Sequence, residues 1–202
     1  QWKRGGTDIA GASISNYTAT TTGIYTVVVR NAGGCATTSA AFTVVVKPLP
    51  LAVITPVGST TFCAGKNVLL KANTGTNYTY QWIRGAAVIQ GAIQSSYAAT
   101  LPGQYTVIVT NASGCSVTSA GIPVSVTPLP AALVTPAGPL TFCAGQTVSL
   151  KANTGTNYTY QWKKGAINIP DATLVNYTAS ASGVYSVIVT NAAGCSVTSP
   201  GV

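Results

Sequence analysis

The sequence predicts an all-β protein built of tandem antiparallel β-sandwich domains in an elongated array. Three observations lead there. Stretches such as TVSLKAN (147–153) and GQYTVIVT (103–110) alternate apolar and polar residues, the period of a half-buried strand. Turn signals rich in Gly and Asn separate such stretches, and no window carries a helical stripe. The whole pattern then recurs every 80 residues, as Trp2, Trp82 and Trp162, as Tyr25, Tyr105 and Tyr185, and as Cys35, Cys115 and Cys195. KANTGTNYTYQW stands unchanged at 71–82 and 151–162. A fixed period of that length is an array of similar domains.

The register divides the 202 residues into a partial unit (1–47), a complete unit (51–127) and a unit lacking its last strand (131–202). QWKRGG at Gln1 matches QWIRGA at Gln81, in mid-unit, and SVTSPGV at the other end stops before a counterpart of IPVSVTP. We read the chain as a segment of a longer repetitive protein. There is no signal peptide, starting methionine or transmembrane run, so no membrane insertion is expected in this segment. The same register also allows subunits that exchange strands in a polymer.

Within the third unit, Val148, Leu150 and Ala152 form the inner side of one strand. NTGTN is a turn, and YTYQWKK (158–164) places Tyr158, Tyr160 and Trp162 on one face. GAINIPDATLVNYTAS holds short strand pieces broken by Gly-Ala and Pro-Asp, and SGVYSVIVTN (182–191) turns Tyr185, Val187 and Val189 inward. AAGC reverses the chain into a last strand, whole in the second unit as GIPVSVTP. Trp2, Trp82, Trp162, Tyr25, Tyr105 and Tyr185 are the expected core.

Ten Lys or Arg stand against Asp8 and Asp171, a formal charge of +8, with no histidine. The excess fits either solubilising lysines on a Thr/Ala/Val-rich surface or attraction to anionic glycans. Adjacent basic pairs occur only at Lys3-Arg4 and Lys163-Lys164, so no nucleic-acid partner is expected. Without histidine, Ser-His and Cys-His catalysis and histidine metal sites are excluded. The two carboxylates fall in different units, which excludes a paired-acid glycosidase site and a calcium cage. An acid-assisted Lys–Asn isopeptide bond is excluded in the middle unit, which has no acid. No catalytic residue, cofactor or metal is predicted, and the segment is read as no enzyme. NYT at Asn16, Asn77, Asn157 and Asn176 fits the N-glycosylation pattern. Tyr78 and Tyr158, near turns, either stack on sugars or fill the upper core.

The run V-x-L-x-A, Y-x-W, G-x-Y-x-V-x-V-x-N-x-x-G-C resembles the immunoglobulin-like repeats of giant surface proteins of Bacteroidetes, among them gliding-motility adhesins and other type IX secretion substrates. The resemblance covers the second unit and what is present of the other two. It implies that Trp82 and Trp162 are the core tryptophans of the third sandwich strand. It also implies that Tyr105 and Tyr185 are tyrosine-corner residues. The usual inter-sheet cysteines are replaced by Ala72 with Val107, and by Ala152 with Val187.

Cysteines stand instead before the second strand (Cys63, Cys143) and in the last turn (Cys35, Cys115, Cys195). In the implied topology these two places lie at opposite ends of a unit, more than about 20 Å apart. A disulfide requires Cα atoms within about 7 Å. Stacking end to end brings the last turn of one unit against the second-strand end of the unit before it. This favours Cys63 with Cys195 and leaves Cys35 and Cys143 for neighbouring units. Intradomain pairing, such as Cys63 with Cys115 in an altered topology, stays open, as do free thiols and bonds between chains. Any disulfide implies an oxidising or extracellular compartment. The Pro-rich junctions at 45–50 and 125–130 argue for stiff spacers.

The leading expectation is a structural repeat at the bacterial cell surface, a rigid stalk or filament of an adhesin. Its partners would be neighbouring repeats and, in a filament, other copies. A module that binds anionic polysaccharide and an accessory repeat of a secreted enzyme are the alternatives.

Overall fold

The computed structural model describes residues 1–202, which form 21 strands and no helix. The first group contains β1 (Trp2–Arg4), β2 (Thr7–Asp8), β3 (Gly23–Arg30), β4 (Ala36–Thr38) and β5 (Phe42–Val44). They make one sheet in the order β2-β1-β3-β4, with β5 also on β3.

The second group contains β6 (Ile54–Val57), β7 (Thr61–Cys63), β8 (Val68–Ala72), β9 (Thr79–Arg84), β10 (Ala87–Val88), β11 (Ser96–Ala99), β12 (Gly103–Thr110), β13 (Ser116–Thr118) and β14 (Ile122–Thr127). One sheet runs β10-β9-β12-β14-β7 with β13 on β12; the other runs β11-β8-β6. The third group repeats this arrangement without counterparts of β7 and β14, in β15 (Val134–Pro136), β16 (Val148–Ala152), β17 (Thr159–Lys164), β18 (Ile167–Asn168), β19 (Asn176–Ala179), β20 (Tyr185–Thr190) and β21 (Ser196–Thr198). Its sheets are β15-β16-β19 and β18-β17-β20-β21. Two facing sheets in this order are an immunoglobulin-like sandwich.

Alternation decides which side of each strand is buried. Val68, Leu70 and Ala72 face Trp82, Tyr105, Val107 and Val109 across the second core. Trp82 and Trp162 are fully buried, and their indole Nε1 groups donate to the carbonyls of Gln94 and Leu174, both at 2.9 Å. Burying a tryptophan contributes about 5 kcal/mol on area alone. Each group carries an aromatic ladder: Trp82, Tyr97 and Tyr105 have successive ring centroids 5.9 and 5.8 Å apart. Tyr105 Oη donates to the Leu101 carbonyl at 2.9 Å, and Tyr25 and Tyr185 repeat that bond to Thr21 and Ala181 at 2.8 Å. This is tyrosine-corner geometry.

Three features differ from a simple alternating reading. Trp2 is half-buried, because β1 to β5 form a single sheet with no second sheet over it. Tyr158 and Tyr160 are also only half-buried, and Tyr160 Oη turns aside to the Asn153 carbonyl at 3.1 Å. Not every pair is antiparallel: β7 runs parallel to β14, with Thr61, Phe62 and Cys63 opposite Ser125, Val126 and Thr127. That pairing carries the chain from the β11-β8-β6 sheet to the edge of the opposite sheet, beside β14, and ends β7 at Cys63.

Candidate functional site: the junction between units

The last strand of the second unit ends at Thr127, and β15 begins at Val134. Nearly every residue between them is held. The Asn191 side-chain amide donates to the Pro128 carbonyl at 3.1 Å, and Pro130 is buried. Asn153, at the end of β16, donates to the Ala131 carbonyl at 3.0 Å and accepts the Leu133 N–H at 2.8 Å. Proline at 128 and 130 already removes two backbone donors and fixes φ. The asparagines satisfy polar groups that water would otherwise take.

The junction before the second unit is built the same way. Asn111 donates to Pro48 at 2.8 Å, Lys47 Nζ to Ser113 at 3.2 Å, and Asn73 bridges Leu51 and Val53 at 2.9 and 2.8 Å.

The asparagine of N-x-x-G-C has a second task. Asn191 Oδ1 accepts the N–H groups of Ala193 and Cys195 at 3.1 and 3.0 Å, an Asx-type turn. Gly194 completes it at φ +79°, a conformation that disfavours a Cβ. The turn presents Cys195 toward the preceding unit. On that unit β7 presents Cys63, fixed by the Ala64 N–H donating to Thr127 O at 2.8 Å. The two cysteines are joined in a disulfide with Cα atoms 5.6 Å apart, although 132 residues separate them in sequence. Cys195 is 1% exposed, so the bond lies inside the junction.

Of the other cysteines, Cys35 and Cys143 are exposed and Cys115 half-buried, all as thiols. Cys115 occupies the turn position of Cys195, with Asn111 Oδ1 accepting its N–H at 3.1 Å. Cys143 occupies the position of Cys63.

The remaining candidates do not converge. Tyr78 is half-buried, and a Cβ on Gly75 would sit 2.5 Å from its Cζ, so backbone already covers one ring face. Asn16, Asn77, Asn157 and Asn176 are exposed. Lys3 pairs with exposed Asp8 at 2.7 Å, a contact worth at most about 1 kcal/mol. A groove of about 570 Å³ in the third unit runs between Phe142 and Tyr185. Val202 enters it and exchanges two 2.9 Å backbone hydrogen bonds with Tyr185, where Ile122 of β14 pairs with Tyr105 in the second unit. The groove therefore lies where β14 runs beside β12 in the second unit.

Sequence reading missed the asparagine clamps, although Asn73 with Asn153 and Asn111 with Asn191 obey the 80-residue period. It also missed the serines that close the strand break before β14. Ser119 Oγ accepts the Val107 N–H at 3.1 Å and donates to Ala120 O at 2.9 Å, and Ser199 does the same for Val187.

No protein-family model matches the chain, and no curated protein matches it. Solved structures do. A three-immunoglobulin-domain titin fragment, an E-to-A mutated variant, aligns over 98% of this chain and 85% of its own, at 15% identity and a TM-score of 0.46. The human OSCAR ligand-binding domain aligns over 77% and 99%, at 14% identity and a TM-score of 0.33. Clostridium thermocellum CbhA fibronectin(III)-like modules align over 74% and 92%, at 15% identity and a TM-score of 0.35. The fold assignment stands on the sheet order itself.

Proposed function

We propose that this chain is a length of rigid extracellular stalk or filament from a bacterial surface adhesin, with units at 51–127 and 131–202 acting as spacers. The observation that carries this reading is the Cys63–Cys195 bond, which ties one sandwich to the next instead of closing either. Such a bond fixes the neighbour's orientation and carries tension between units, which is what a spacer needs. The clamped prolines and the segment that recurs unchanged at 71–82 and 151–162 fit the same role, as does a disulfide with an oxidising compartment. Bacteroidetes gliding or adhesin proteins are the group in which we place it, on the N-x-x-G-C and C-x-G-x-x-V-x-L motifs.

Antibody against the repeat, applied to intact cells, tests the reading together with electron microscopy of the purified protein. Surface labelling and straight rods support it. Absence of surface labelling, or freely jointed beads under oxidising conditions, contradicts it. Salt-sensitive retention on an acidic polysaccharide would favour a binding module instead.

A further inference from the structure

The bond's position in the strand order determines which residues bear tension. Pulled from its ends, the chain bears load along residues 1–62, with β6 and β7 last, to Cys63, crosses the disulfide to Cys195 and leaves through β21. Residues 64–194, including the cores around Trp82 and Trp162, hang outside that path. We infer that the junction disulfides make the array a two-thread covalent cable that cannot lengthen by unfolding. This rests on the stalk reading above and goes beyond it, because stiffness at rest does not require it.

The argument is one of register. A bond spans 132 residues, and the stretch from Cys115 to Cys143 spans 28; together they make two periods of 80. If every unit repeats the bond, one thread runs along the last strand of a unit, the linker and the first strands of the next. It then jumps a bond to the last turn of the unit after that. A second, equivalent thread is offset by one unit. Each unit thus carries one thread in its β7 equivalent and the other in its β14 equivalent. These two strands are hydrogen-bonded side by side in the same direction, Thr61 to Cys63 along Ser125 to Thr127.

The 28-residue stretch already holds the strands β13, β14 and β15. Drawn straight it measures about 100 Å for every two units, against about 560 Å for the same two units without bonds. Each bond forms as two thiols give up two electrons and two protons to a disulfide-carrying oxidoreductase, whose own disulfide becomes two thiols.

Single-molecule stretching of this chain, held by its two ends, reads the load path directly. Only 62 residue steps before Cys63 and 7 after Cys195 remain in the oxidised path. Its full extension is then about 460 Å shorter than that of the reduced chain. Adding a phosphine reductant to the same molecules should restore that length as discrete unfolding steps, and Cys63→Ser should show it without reductant. Because reduction acts on chains already folded, a Cys63→Ser variant that fails to fold leaves the test intact. An oxidised chain that reaches the reduced length overturns the inference, while surface labelling of cells stays unaffected.

The second thread is read by alkylating the intact protein from its native source without reduction. Protected turn and pre-strand cysteines in successive units support it. One labelled thiol of each kind in every unit overturns it.

Discussion

Asn191 donates its side-chain amide to the carbonyl of Pro128 at 3.1 Å, so a residue in the third unit's last turn grips the linker 63 positions earlier. The same side chain accepts the Cys195 N–H. One asparagine therefore sets both the angle of the linker and the aim of the sulfur. Asn191→Ala should remove about 1–2 kcal/mol from the third unit. It should also broaden the distance distribution between spin labels on the two units once the disulfide is reduced. With the bond intact the broadening should be small.

The three thiols should differ in reactivity. Cys35 and Cys143 are exposed and Cys115 is half-buried. Alkylation of the folded chain should modify the first two quickly, Cys115 more slowly, and Cys63 and Cys195 only after reduction. Timed mass measurement of the alkylated chain checks the order.

Trp162 fills the third core completely, with its indole hydrogen-bonded to Leu174. Trp162→Ala should cost about 3–5 kcal/mol in urea unfolding. Trp2→Ala should cost much less, since only one sheet packs against Trp2. Equal losses would contradict the burial pattern.

Burial raises the Tyr105 phenol above its ordinary pKa of 10.0, with Tyr97 beside it adding to the rise and Arg84 opposing it. A pKa raised by folding means that the neutral form is the one the fold favours. The associated stability is complete below about pH 10 and is lost as pH climbs through the raised value. Urea midpoints measured from pH 8 to 11 should fall at the alkaline end, and Tyr105→Phe should flatten that fall.

Ser119 is buried and stands in for a missing ladder partner of Val107. Ser119→Ala should leave a buried N–H unpaired and cost about 1–3 kcal/mol, whereas Ser113→Ala in the exposed turn should cost little. Denaturation midpoints of the two variants decide it.

The alternating strands were legible because one side of each is buried: Val68, Leu70 and Ala72 need no other information. β7 was not, since three residues running Thr-Phe-Cys carry no period, and their parallel pairing with β14 depends on a strand some sixty residues away. The middle rungs of the aromatic ladders, Tyr17, Tyr97 and Tyr177, share the 80-residue spacing and could have been found from it. The asparagine clamps were harder to see. Asn, Gly and Pro in a turn look alike whether they serve the turn itself or a neighbouring linker, and only tertiary structure separates the two.

Peptide mass analysis of the non-reduced chain tests the central claim most directly. The account predicts one crosslinked species containing the Cys63 and Cys195 peptides, with Cys35, Cys115 and Cys143 recovered as thiols. A crosslink between Cys63 and Cys115 would close the second unit on itself and contradict both the junction and the load path.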